Sequence, residues 1–149
     1  LQASTCVELA KHKNIIAVKE ASGNLQQIME ILRDKPSDFD VLSGDDGLTQ
    51  PMMALGAKGV ISVAANGYPD VFCKMVKSML NDDAKTALPL HYKMLNMNSL
   101  IFADGNPAGI KCLMAQQNLC KNVLRLPLVT VNDNVKNDLE KEYKILYNK

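Results

Sequence analysis

The chain is short of the residue types on which several classes of function depend. Its 149 residues include four tyrosines, three phenylalanines and no tryptophan, which leaves few platforms on which nucleobases could stack. Neither sign of charge dominates: 17 Lys and Arg against 16 Asp and Glu give a formal net charge of +1, with no basic stripe for phosphates and no acidic tail. Both absences argue against nucleic acid as a partner. Cysteine is scarce as well. Cys6, Cys73, Cys112 and Cys120 are widely spread, form no CxxC pair and have only His12 and His91 to join them as ligands, so no metal site is expected. Cys73 and Cys112 fall in apolar helical patterns, where a reduced thiol serves as a small core residue. His91 and Tyr92 read as helix-surface or packing residues. No apolar run approaches the length of a membrane span, and the start LQASTCVELAKHK lacks the charged-then-apolar order of a secretion signal. The expectation is a cytoplasmic protein that engages no membrane.

With 47% hydrophobic and 22% charged residues, the chain can bury one real core. Three short apolar runs, Ile15 to Val18, Phe39 to Leu42 and Val60 to Val63, are spaced by about one strand-plus-helix unit. Between the first two, Leu25, Ile28, Met29, Ile31 and Leu32 recur at helical spacing after Asn24, a capping residue, and the Lys35-Pro36-Ser37-Asp38 cluster ends that helix. Leu48, Met52, Met53 and Leu55 repeat the pattern, with Gly56 as the stop. Apolar strands that are continuous and not alternating are expected where both faces are covered, and strands joined by helical crossovers run parallel. The fold class is therefore α/β, a βαβαβ array followed by more helices.

Asn66-Gly67 would suit a hairpin turn, but Val71-Phe72, Met75-Val76 and Met79-Leu80 repeat with the helical period, which predicts a helix opened by Pro69 and Asp70. Asp82 or Asp83 caps a further helix reaching about Leu100. Asn106-Pro107 opens another, with Ile110, Leu113 and Met114 inward, and Leu124 to Leu128 looks extended. A final helix from about Asn134 turns Val135, Leu139 and Leu146 inward and sets Glu140 and Lys144 outside as an i, i+4 pair. Residues 1–80 thus carry the βα units and residues 81–149 a helical region.

In parallel βα units the C-terminal strand ends share one face, where such folds place their sites. Three loops converge there: Lys19-Glu20, Ser43-Gly44-Asp45-Asp46-Gly47, and Ala64-Ala65-Asn66-Gly67. An amine at the mouth of an apolar strand is partly desolvated, and the free amine is the form that adds to a carbonyl to give a Schiff base. From position alone the commoner reading of Lys19 is a surface lysine just past a strand, screened by Glu20 or by a helix behind it. Gly44 lets backbone approach a small ligand closely, and loop amides near a helix N-terminus suit a carboxylate. An amine beside such backbone fits a 2-oxo acid. Asp45 or Asp46 reads as a cap of the Leu48 helix in preference to a metal ligand, and two adjacent carboxylates rarely flank one glycosidic bond from opposite sides.

Five ordered strings resemble the dihydrodipicolinate synthase (4-hydroxy-tetrahydrodipicolinate synthase) family: Ile15 to Asn24, Leu42 to Asp46, Gly59 to Asn66, Gly105 to Lys111, and Leu124 to Leu128. The resemblance implies the C-terminal part of a (β/α)8 TIM barrel, three parallel strands with helices, plus a C-terminal helical extension. It implies a Schiff-base lyase of lysine (diaminopimelate) biosynthesis that condenses pyruvate with L-aspartate 4-semialdehyde and needs no cofactor. Lys19 would be catalytic, backbone at Ile61 and Gly44 would hold pyruvate, and Asn106 and Asp45 would support the site. The family's threonine-tyrosine proton relay and its lysine feedback site belong to upstream strands that have no counterpart here, which implies a C-terminal fragment whose partner is the missing N-terminal half. The resemblance also implies a homo-oligomer when intact, since family members usually form homotetramers. Sialic acid lyase and keto-deoxy sugar acid aldolases share the lysine, but Ser43 to Asp46 and Asn106-Pro107 favour the synthase. In another class, the exposed strand edge would make the chain a non-catalytic assembly module.

Overall fold

Strand formation follows alternation more closely than the apolar runs suggested. The computed structural model describes residues 1–147. It contains β1 at Ala17–Glu20, β2 at Asp40–Ser43 and β3 at Gly59–Val60, in the order β1-β2-β3 with both pairs parallel. Val18 stands opposite Val41, Lys19 opposite Leu42 and Glu20 opposite Ser43, and Leu42 in turn faces Gly59. The first strand begins two residues later than the run Ile15 to Val18. Pairing starts where the Asp40 amide donates to the Ile16 carbonyl at 2.9 Å, and Ile16 itself is 74% exposed while the charged Glu20 is only 7% exposed. The third strand is shorter than Val60 to Val63, because after the Ile61 amide donates to Ser43 at 2.9 Å the chain turns into a 3-10 segment at Ala64–Asn66.

The helices are α1 at Ala3–Leu9, α2 at Leu25–Asp34, α3 at Thr49–Ala54, α4 at Pro69–Leu80, α5 at Ala84–Leu100, α6 at Ala108–Gln116 and α7 at Asp133–Tyr147. Several caps and stops fall where the sequence places them, although α3 has Leu48 at its N-cap with no side-chain cap, and Asp45 holds the turn before it instead. Asn24 accepts the Gln27 amide, Asp83 accepts the Thr86 amide, and Gly56 takes φ +116° after α3, a conformation strained for any residue with a Cβ. The first helix was not foreseen, since Cys6 is its only buried residue, with Ala10 buried just past its end. Leu124 to Leu128 is not a continuous extended segment. A turn at residues 126–127 breaks it, with the Leu128 amide donating to Arg125 at 3.1 Å.

Contacts divide the chain into two interleaved units, Leu1–Ser62 with Lys74–Leu88, and Val63–Cys73 with Pro89–Lys149. In the first, Cys6, Ile28, Ile31, Val41, Met52 and Met53 form one buried cluster, against which Val18, Val76 and Met79 pack. Each fully buried side chain of this kind contributes about 1.5–3 kcal/mol. In the second, α6 packs on α7, burying Ile110, Leu113, Leu139 and Leu146, and the buried Tyr68 hydroxyl donates to Asn98 at 2.6 Å. Met114 is only half-buried. Cys112 is buried as expected, but Cys73 is exposed, because Phe72 and Met75 hold the inward positions of α4. His91 is a buried packing residue. No helix of the described residues is long and apolar enough to cross a membrane.

Candidate active site

Side chains alternate across a strand, and partners in a parallel register share a face. Val18, Glu20, Val41 and Ser43 therefore point toward the helices, where Val41 and Ser43 are fully buried. Lys19, Leu42 and positions 59 and 61 fall on the opposite face, at the C-terminal end of the sheet. Lys19 is a strand residue, one step earlier than the loop mouth expected for it. Its side chain is exposed, and among the described residues its Nζ has no hydrogen bond or ion pair.

Glu20 does not screen Lys19. Alternation sends it to the helix-covered face, where its carboxylate accepts the Ser22 amide and the Gln27 side-chain amide, both at 3.1 Å. Those bonds fix the turn that follows the lysine.

Gly44 lies directly against the lysine. A Cβ built on it would sit 2.7 Å from Lys19 Cε, 3.0 Å from Lys19 Cγ and 2.8 Å from the Ala21 Cβ, so only glycine lets the aliphatic stem of Lys19 lie across this position. The Gly44 amide donates to the Glu20 carbonyl at 2.7 Å and the Ile61 amide to the Ser43 carbonyl at 2.9 Å. Both amides are thus committed to the sheet, and neither is free for a carboxylate. The Ile61 side chain is 50% exposed.

Asp45 is occupied by its own loop. Its Oδ1 accepts the Gly47 amide at 2.9 Å and the Leu48 amide at 3.2 Å, a closed turn leading into α3. Asn106 belongs to the second unit, where it is exposed on the turn before α6, joined to Pro107 by a cis peptide. The structure therefore gathers Lys19, Gly44, Ile61 and Asp45 in one unit and gives Asn106 to the other. Sequence reasoning named Ser43 only as part of its loop and did not name Thr49, yet their fully buried hydroxyls tie that loop. A serine and a threonine six apart carry no periodic signal.

The model of the dihydrodipicolinate synthetase family matches residues 1–146. A 4-hydroxy-tetrahydrodipicolinate synthase of Phocaeicola vulgatus is 50% identical over 130 residues, covering 87% of this chain and 44% of that protein. The crystal structure of dihydrodipicolinate synthase from Aquifex aeolicus superimposes with a TM-score of 0.92 at 38% identity, covering 99% of this chain and 50% of that one. A chloride-inhibited dihydrodipicolinate synthase from Acinetobacter baumannii, complexed with pyruvate, gives 0.94 at 28% identity over 99% of this chain and 50% of that one. The chain spans about half the length of the curated relatives it matches. Its three parallel strands and their helices form the C-terminal part of a (β/α)8 barrel with a C-terminal helical extension. On the family model and the curated relatives together, the chain belongs to the dihydrodipicolinate synthetase family.

Proposed function

We propose that Lys19 is the Schiff-base lysine of an enzyme that condenses pyruvate with L-aspartate 4-semialdehyde to give 4-hydroxy-tetrahydrodipicolinate in lysine biosynthesis, and that this chain supplies the carbonyl-trapping part of its site. The observation that carries the reading is the exposed, unpaired Lys19 amine on the open sheet face, its stem seated against Gly44. The pyruvate complex of the Acinetobacter baumannii relative supports the choice of substrate.

The neutral amine adds to the pyruvate ketone, and the carbinolamine loses water to leave an iminium joined to Lys19 Nζ. The iminium withdraws electrons from the adjacent methyl group, whose proton is then lost to give an enamine. The enamine carbon attacks the aldehyde, and the amino group of the second substrate closes on the iminium carbon and releases the lysine. Lys19 acts in each of these steps as nucleophile, electron sink and leaving group. The carbonyls at Gly44 and Ile61 bound the position of the bound keto acid, and Asp45 holds the loop that carries Gly44. In the complete barrel we assign these substrates and a homo-oligomeric assembly.

Treatment with pyruvate and borohydride, followed by peptide mass mapping, tests this. Reductive alkylation confined to Lys19 and lost in Lys19→Arg is the expected result. Unmodified Lys19, or an adduct spread over other surface lysines, would overturn it.

A further inference from the structure

The loop between β2 and α3 is tied more tightly than a surface loop requires. Ser43 and Thr49 are both fully buried. The Ser43 hydroxyl donates to the Asp45 carbonyl at 2.8 Å and accepts the Asp45 amide at 3.1 Å. The Thr49 hydroxyl reaches the same carbonyl at 2.9 Å, with Ser43 Oγ 3.3 Å away. Two hydroxyl protons and the Leu48 amide, at 3.1 Å, thus converge on one carbonyl, while the Asp45 side chain accepts the Gly47 amide and shares the Leu48 amide. On the other side of Gly44, its own amide is held by Glu20 at 2.7 Å. Gly44 is pinned from both directions, and the stem of Lys19 rests on it within a distance that admits no Cβ.

We propose that Ser43 and Thr49 are positioning residues for Lys19: through the Asp45 peptide they fix Gly44, and Gly44 fixes the direction in which the lysine amine is presented. The proposal rests on the assignment of Lys19 as the Schiff-base lysine, but its physical claim concerns the lysine side chain itself. Buried hydrogen bonds rigidify when every partner is satisfied, and a reacting group misplaced by about 1 Å can lose on the order of 100-fold in rate. The two hydroxyls are fully buried and their hydrogen bonds stay within their own loop, so their effect should fall on the rate of adduct formation, with the apparent pyruvate half-saturation unchanged.

Thr49→Val, which removes the hydroxyl at nearly the same shape, and Thr49→Ser, which restores it, are compared with the unmodified chain in two measurements. Borohydride trapping at saturating pyruvate should fall roughly 10-fold in Thr49→Val and recover in Thr49→Ser. Carbon-13 relaxation of the Lys19 methylenes, which needs no pyruvate, should show a restricted stem in the unmodified chain, a mobile one in Thr49→Val and a restricted one again in Thr49→Ser. Equal Lys19 motion in all three would overturn the proposal. So would loss of trapping that the serine fails to rescue, since that is the behaviour of a purely structural residue. Absence of any Lys19 adduct in the unmodified chain would count against the Schiff-base assignment alone, and the relaxation result would still decide the positioning role.

Discussion

In the strand-bearing unit, Ile28, Ile31, Val41 and Met52 are fully buried on the helix-covered side of the sheet, while Lys19 and Ile61 stand exposed on the other face. In the helical unit, Ile110, Leu113, Leu139 and Leu146 are buried where α6 and α7 meet. In a chain that spans about half the length of its relatives, one unit leaves a sheet face uncovered, and the other buries apolar side chains where its own helices meet. Their glycines differ in the same way. A Cβ at Gly109 would lie 2.2 Å from the Ile101 backbone oxygen, whereas one at Gly44 would meet the flexible end of Lys19 at 2.7 Å. The first contact is backbone and cannot give way. The second presses on the Ala21 Cβ and on a side chain that can swing aside at the expense of its direction.

Substituting the two glycines should break this symmetry most visibly. Gly109→Ala is expected to cost 3 kcal/mol or more, roughly the upper end for overpacking, and to lower the melting temperature sharply. Gly44→Ala should cost about 1–3 kcal/mol and yet abolish most pyruvate trapping at Lys19; equal melting points for the two variants would erase the distinction drawn above. Next in size, Leu139→Ala should lose about 2–5 kcal/mol through the cavity it leaves. Ile61→Ala, on the open face, should stay within about 0.5 kcal/mol in the same denaturant titration.

A smaller effect depends on pH. Burial lowers the pKa of His91 below its ordinary 6.5, and among the described residues its Nδ1 has no hydrogen-bond partner. The folded state therefore favours the neutral ring. The stability this represents is present above the ordinary value and is lost as pH falls below it toward the folded value. The melting-temperature difference between the unmodified chain and His91→Gln should accordingly shift against histidine between about pH 7 and about pH 5, and a constant difference would show that the ring does not titrate there. Smallest of all, Lys144→Ala should leave the melting temperature unchanged, because its 2.7 Å pair with Glu140 is solvent-exposed on both sides.

Helix ends were legible in the sequence because capping is local. Asn24, Asp83 and Gly56 act within three or four residues of the backbone they serve. Strand limits were less legible, since pairing depends on a partner far along the chain: hydropathy favoured Ile15 and Ile16, but the ladder begins at the Ile16 carbonyl. Lys19, Gly44, Ile61 and Asp45 could be chosen from strand-end logic and the family resemblance, and the structure places them in one unit. What no pattern could show was that the Gly44 and Ile61 amides are already engaged in the sheet, or that Ser43 and Thr49 meet at a single carbonyl. Cys73 misled because Phe72 and Met75 satisfy the same helical period from neighbouring positions.

Lys19 and Glu20 are adjacent in the chain and point to opposite faces of β1, so this strand behaves as a reading frame of two. Point substitutions at Ala17 or Val18 would change the fit of one side chain, but deletion or insertion of a single residue ahead of Lys19 that kept the pairing would exchange the two faces. The amine would then be turned into the helix layer and a carboxylate presented in its place. Among descendants of this sequence, length changes should be tolerated in the turns that flank β1 and purged within it, even where every substitution at the same positions survives.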